Sequence, residues 1–152
     1  MQKYFAGKDG SRAVYSMSID PNDDPSVLEN YYTPDNYIVT TKSYLITETS
    51  TLEWDIRQAV DGKEDNYSII VSEDGVNFRE VWYERYSNST GATKAYSLAG
   101  EAGNELYIGF RHHEITYGGA LCLDNVKLVT ESTLKPEEEI DPDAPRIPTK
   151  VE

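Results

Sequence analysis

The sequence predicts an all-β protein, a jelly-roll sandwich of two antiparallel sheets. Three observations carry this reading. Short stretches alternate apolar and polar residues at period two. An Asp74-Gly75 pair separates two of them, and such a pair supplies the positive φ that a tight hairpin needs. No window shows a helical period.

The elements follow in order. Residues 12–18 read as a first strand and 37–46 as a second. Leu52, Trp54 and Ile56 alternate with Glu53, Asp55 and Arg57, the pattern of a half-buried strand. Residues 67–71 form the next, turned at Asp74-Gly75 into a returning strand over 77–84 that carries Phe78, Val81, Trp82 and Tyr83. A weaker strand covers 94–98. Leu106, Ile108 and Phe110 make another alternating set, and 119–129 reads as the longest strand. Its Ala120-Leu121-Cys122-Leu123 run is apolar on both faces, as in a central strand covered on two sides. That gives about eight strands at the spacing of a sandwich. Residues 1–130 are expected to form this one domain. Residues 131–152 hold Glu137-Glu138-Glu139 and four of the chain's seven prolines, so they read as an acidic, proline-rich tail or linker.

The 152 residues carry 14 Lys plus Arg against 27 Asp plus Glu, a net charge of −13. Such a chain repels phosphate backbones, which argues against a nucleic-acid partner. No apolar stretch is long enough to span a membrane, and the first residues lack the apolar core of a signal peptide. The expectation is a cytoplasmic protein or a fragment of a larger exported one. Tyrosine stands out, with 12 against 3 Phe and 2 Trp. Most suit exposed strand faces; some suit recognition, because the ring is rigid and amphipathic. Cys122 is the one cysteine, flanked by Leu121 and Leu123 as in a buried thiol.

No catalytic centre is legible. There is no Gly-x-Ser-x-Gly, Cys122 lies in an apolar run, and Gly118-Gly119 lacks the lysine and helix of a phosphate loop. Asp20-Pro21-Asn22-Asp23-Asp24 begins like a calcium loop but has Pro25 at the glycine position and Tyr31 in place of the closing glutamate, so it reads as a solvated acidic loop. His112 and His113 are adjacent on a strand and point to opposite faces, so they do not share one metal; His112 is expected to bond a loop carbonyl. Arg111 is expected to pair with Asp35 or Glu114. Candidate ligand-binding aromatics are Tyr31 and Tyr32 in a loop, and Trp82 and Tyr86 in Val81-Trp82-Tyr83-Glu84-Arg85-Tyr86. For Trp82 the competing reading is a core residue, with Tyr83 on the outer face.

The ordered set of motifs resembles the cleaved-adhesin family, also called choice-of-anchor J domains. The matching residues are Asp9-Gly10-Ser11-Arg12-Ala13-Val14-Tyr15, Thr33-Pro34-Asp35-Asn36-Tyr37-Ile38-Val39, Asp65-Asn66-Tyr67-Ser68-Ile69-Ile70-Val71, Tyr107-Ile108-Gly109-Phe110-Arg111-His112 and Leu123-Asp124-Asn125-Val126. The resemblance spans residues 7–130. It implies a jelly-roll sandwich exported as a module of a large bacterial surface protein, in the manner of gingipain and haemagglutinin adhesin regions. It implies binding of host proteins, haem-bearing material or glycans, and structural calcium. Asp124 is the expected calcium ligand, with Asn125 beside it; on a regular strand only one of the two faces a given site. Other roles consistent with the resemblance are an accessory, targeting domain of a secreted protease or glycoside hydrolase, and a spacer or assembly module. Family members usually begin with a further strand ahead of the Gly-Ser motif. The sandwich is therefore expected to lack an edge strand and to self-associate by strand exchange.

Overall fold

The computed structural model describes residues 8–9, 12–20, 22–113, 115 and 117–131. The tail expected from 131 onward lies outside the described residues beyond Glu131. The described residues form nine strands: β1 (Val14–Met17), β2 (Asp35–Val39), β3 (Tyr44–Leu45), β4 (Ser50–Gln58), β5 (Asp65–Ser72), β6 (Arg79–Tyr86), β7 (Ala92–Ser97), β8 (Glu105–His113) and β9 (Ala120–Thr130). One sheet runs β1-β9-β4-β7 and the other β2-β8-β5-β6, with β3 also pairing β8. Every pairing is antiparallel. The chain crosses between sheets at β1→β2, β3→β4, β4→β5, β6→β7, β7→β8 and β8→β9, the winding of a jelly roll. Among the described residues, helix is confined to two single 3₁₀ turns, Leu28–Asn30 and Ala99–Glu101. No helix of the described residues is long and apolar enough to cross a membrane.

The alternation of β4 sets the core. Leu52, Trp54 and Ile56 are buried between the sheets, facing Tyr67, Ile69 and Val71 of β5 and Leu106, Ile108 and Phe110 of β8. Trp54 is 1 % exposed and meets Trp82 and Phe110 edge-on, at ring centroid distances of 5.5 and 5.3 Å. Its indole nitrogen donates to the Tyr67 hydroxyl (3.1 Å), which donates to Glu84 (2.7 Å). The polar edge of a buried ring is thus satisfied through a chain that ends at the surface.

Three expectations are revised. The strand expected over 37–46 is two: β2 ends at Val39, and the chain turns before β3 rejoins β8 at Leu106. The turn at Asp74-Gly75 is wider than a two-residue hairpin. It spans 73–78, with the Asp74 carboxylate accepting the backbone N–H of Val76 (2.9 Å) and Asn77 (2.8 Å) while Gly75 takes φ +76°. These bonds hold the Asp74 carboxyl well below the usual carboxylate range. The strand buried along its whole length is β5, whereas β9 is buried over Ala120–Cys122 and more exposed thereafter. The difference arises because β5 lies between β8 and β6 throughout, while β1 pairs only with Ala120–Leu123 of β9.

Candidate functional site

Two places concentrate polar chemistry, and both lie where the strands give way to loops. The first is a loop surface. Asp20 accepts the Asn22 backbone N–H (2.9 Å), and Asp24 accepts that of Ser26 (2.9 Å). These bonds fold the acidic segment as a solvated turn, as the sequence suggests. The Ser26 bonds hold the Asp24 carboxyl below its ordinary value. A cleft of about 660 Å³ opens here, lined by Ile19, Asp20, Asp23, Pro25, Arg57 and Asp61 among others. Tyr31 borders it through a hydrogen bond from its hydroxyl to the Pro25 carbonyl (2.8 Å). Its ring meets Tyr117 edge-on at 5.4 Å, and the Lys63 ammonium sits 4.7 Å from its centroid. Tyr32 follows, 46 % exposed. Its partial burial and the nearby Asp20 and Asp23 raise its hydroxyl above the ordinary tyrosine value, so it stays a neutral donor.

Tyr31 and Tyr32 are therefore brought together with polar groups. Trp82 and Tyr86 are not. Tyr86 is 5 % exposed, and its hydroxyl donates to the Ile56 carbonyl (3.1 Å). Its expected role as a ligand-stacking ring is corrected, because the ring is enclosed between the sheets. Trp82 is half-buried and packs on Trp54, Tyr67 and Tyr96, while Tyr83 lies on the outer face with its hydroxyl on Asn66 (3.0 Å). This is the core reading of Trp82.

The second place is a polar pin between the sheets. Asp65, at the start of β5, is fully buried. Its Oδ1 accepts from Ser18 Oγ (2.7 Å) and pairs with His112 Nε2 (2.7 Å); its Oδ2 accepts from Gln58 Nε2 and the Gly119 N–H (both 2.8 Å). Both carboxylate oxygens are thus filled by donors from several elements. Gly118 and Gly119 are required by this closeness: a Cβ at Gly118 would strike the Asp65 carboxylate, and one at Gly119 the Gln58 amide. The other ring nitrogen of His112, Nδ1, lies 2.6 Å from Ser16 Oγ. The expectation that His112 bonds a loop carbonyl is corrected, since it bridges two side chains across the sandwich. His113 points the other way, to Ser68 (2.6 Å), as the opposite-face argument requires. Arg111 pairs with Asp35 (2.7 Å), the first of its two expected partners, and holds that carboxyl below its ordinary value. Cys122 is 1 % exposed and its thiol is pushed up by burial, which suits an inert core thiol.

Asp124 and Asn125 were expected to point apart. A bulge changes that. The β4–β9 register shifts between Glu53 and Asp55, and Asn125 adopts φ +50°. The Asn125 N–H donates to Asp124 Oδ1 (2.8 Å), and its side-chain amide donates to Asp55 Oδ2 (2.8 Å) and approaches Asp9 Oδ2 (3.4 Å). Thr93 holds the other Asp55 oxygen (2.5 Å). The Asn125 amide N–H thus lies between the Asp55 and Asp9 carboxylates. No group of three or more acidic, His or Cys side chains that could hold a metal ion occurs among the described residues.

The polar pin is what sequence reading missed. Ser16, Ser18, Gln58 and Asp65 are separated in the chain and form no motif. The local trace of it is an aspartate opening an apolar strand and a Gly-Gly pair opening another.

A family model described as Cleaved Adhesin Domain matches residues 1–105 and 74–128. Among solved structures, the K1 Cleaved Adhesin domain of Lys-gingipain from Porphyromonas gingivalis W83 aligns with a TM-score of 0.67 at 21 % identity, covering 84 % of this chain and 79 % of that one. The K3 domain of the same protein aligns at 0.64 and 21 % identity, covering 84 % and 78 %. The K2 domain aligns at 0.59 and 19 % identity, covering 80 % and 73 %. No curated protein matches the chain. The structural likeness speaks to the fold, and the family model spans most of the sequence whose motifs build it; the chain belongs to the Cleaved Adhesin Domain family.

Proposed function

We propose that this chain is a binding module, an adhesin unit of an exported bacterial surface protein, that recognises a host protein or a glycan without catalysing its turnover. The observation that carries this is the loop surface. An exposed tyrosine, Tyr32, follows a braced one, Tyr31, whose hydroxyl bonds the Pro25 carbonyl in the wall of a polar cleft of about 660 Å³, and Asp20 and Asp23 of that wall act electrostatically on Tyr32. Rings of this kind offer apolar faces to a sugar or an aromatic side chain, and Asp20, Asp23, Asp61 and Arg57 supply acceptors and donors for hydroxyls or backbone groups. Lys63 and Tyr117 already occupy part of Tyr31, so Tyr31 positions the surface and Tyr32 presents it. Family membership supports the same reading, as does the scaffold: a jelly roll holds such loops rigidly at one end. Calcium is not built into the proposal.

A second reading, self-association through a sheet edge, is favoured by β2. All five of its residues are exposed, with Tyr37 at 54 % and Ile38 at 42 %, and its outer edge has no strand partner among the described residues.

The test is a screen of immobilised glycans and host extracellular proteins against the intact chain, with and without a calcium chelator, followed by the same screen with Tyr32→Ala. Binding that falls about tenfold or more in Tyr32→Ala and is unchanged by chelator supports the loop surface. Binding unaffected by Tyr32→Ala sinks it.

A further inference from the structure

Ser16, His112 and Asp65 form a hydrogen-bonded relay. Ser16 Oγ is 2.6 Å from His112 Nδ1, and His112 Nε2 is 2.7 Å from Asp65 Oδ1. Asp65 accepts on both oxygens, so the His112 proton facing it sits on Nε2, which leaves Nδ1 as an acceptor aimed at the Ser16 hydroxyl. That is the polarity of a serine nucleophile with its base and its orienting carboxylate, with the two ring nitrogens exchanged relative to the serine-protease arrangement. A fourth group completes it. Asn36 Nδ2 donates to Ser16 Oγ (2.8 Å), which turns the Ser16 hydroxyl so that its own proton points to His112 Nδ1.

The relay is not sealed in the core. Ser16 is half-buried and Asn36 exposed. Ser16, Asn36 and His112 line a cleft of about 110 Å³ between β1 and β2 whose other walls include Val14, Tyr37 and Leu121. That volume holds about three waters, or an acyl group of two or three carbons. Val14 and Tyr37 stand at its mouth, 50 % and 54 % exposed. Asp65, by contrast, is held from five directions: by Ser18, Gln58, Gly119 and His112 through hydrogen bonds, and by Gly118 through close approach. The imidazole is therefore fixed in orientation while the serine it serves is half-buried in the wall of the cleft.

The geometry points to Ser16 as a reactive nucleophile, a site of covalent acylation by small activated esters, which goes beyond the binding reading above. In the step, Ser16 Oγ bonds to the ester carbonyl carbon as its proton passes to His112 Nδ1. The carbonyl oxygen takes the electron pair of its π bond. Collapse expels the alkoxide or phenolate, which leaves with the proton held by His112, and an acyl-Ser16 ester remains. Water can then cleave that ester with His112 again taking the proton.

The experiment incubates the intact chain with p-nitrophenyl acetate and, separately, with a small alkyl fluorophosphonate. It reads nitrophenolate release, the mass of the adduct, and its position by peptide mapping. One adduct on Ser16 is expected, absent in Ser16→Ala. Its rate should fall about 100-fold or more in His112→Gln, which loses the base, and several-fold in Asn36→Ala, which frees the Ser16 hydroxyl to turn away from His112. Ser16→Ala and Asn36→Ala alter only half-buried or exposed side chains, so both keep the test readable if His112→Gln does not fold. No adduct, an adduct on another residue, or formation at the wild-type rate in Asn36→Ala or a folded His112→Gln means that the relay is only a pin between sheets.

Discussion

Where β6 faces β7, the sheets are tied across by Lys94 to Glu84 (2.8 Å) and by the Tyr96 hydroxyl to the Val81 carbonyl (3.1 Å), with Trp82 packed on Tyr96. Where β1 faces β2, the ties among the described residues gather at one end, through Ser16, Asn36 and His112. Beyond them lies a groove of about 680 Å³ lined by Ile38, Val39, Leu123, Val126 and Leu128 among others. The surfaces differ in the same sense. The β6 edge carries Arg79, paired with Glu73 and Glu101, and Arg85, paired with Glu64. The opposite side exposes Val14, Tyr15, Tyr37, Ile38, Val39, Leu45 and Val126. Charge on an edge strand discourages further pairing, whereas an apolar edge invites it. One sandwich thus has a closed side and an open side, and the relay of Ser16, His112 and Asp65 sits at the end of the open one.

The contrast can be broken most severely at Asp65. Asp65→Ala strips the acceptor from Ser18, Gln58, Gly119 and His112 in a buried place, and urea unfolding should show a loss of about 3–5 kcal/mol. A loss under 1 kcal/mol, on the order of an ordinary surface substitution, would mean that the open side does not depend on its pin. Next comes the closed side. Glu84→Ala leaves the Tyr67 hydroxyl without its acceptor and Lys94 without its partner, at an expected cost of about 1–3 kcal/mol, most of it from Tyr67 because Lys94 is partly solvated. A Lys94→Ala background should reduce that cost only slightly.

Acid affects both sides more gently. Hydrogen bonds hold the carboxyls of Asp35, on the open side, and Glu101, on the closed side, below their ordinary values, each through its arginine. Asp55 is lowered through Thr93 and Asn125. Folded values below unfolded ones mean that this stability is fully present above about pH 5 and is lost as pH falls further through the folded values. Thermal unfolding followed from pH 7 to 3 should show the midpoint flat at first and then falling; a midpoint that rises on acidification would contradict these pairings. The smallest effect on stability belongs to Ile38→Lys. Ile38 is 42 % exposed, so unfolding should change within about 0.5 kcal/mol. Light scattering should nevertheless show reduced self-association. In the unaltered chain that association should strengthen with salt, because screening relieves the repulsion of a −13 charge.

The alternation of Leu52, Trp54 and Ile56 was enough to say which face of β4 is buried, because period two is a property of the strand itself. For the same reason the sequence determined the all-β class, the buried Cys122, the turn at Asp74-Gly75, and the opposed faces of His112 and His113. That Arg111 needs a carboxylate was legible because it is a lone arginine on an apolar strand; the choice of Asp35 over Glu114 was not. Tertiary structure decided the rest. Tyr86 reads as an available aromatic until the second sheet closes over it. Asp124 and Asn125 read as alternating until a bulge turns Asn125 toward Asp55. Ser16 and His112 are 96 positions apart and His112 and Asp65 are 47 apart, so their meeting depends on how two sheets are laid together. Local pattern fixes the direction of a side chain; only the packing of distant strands fixes what it meets.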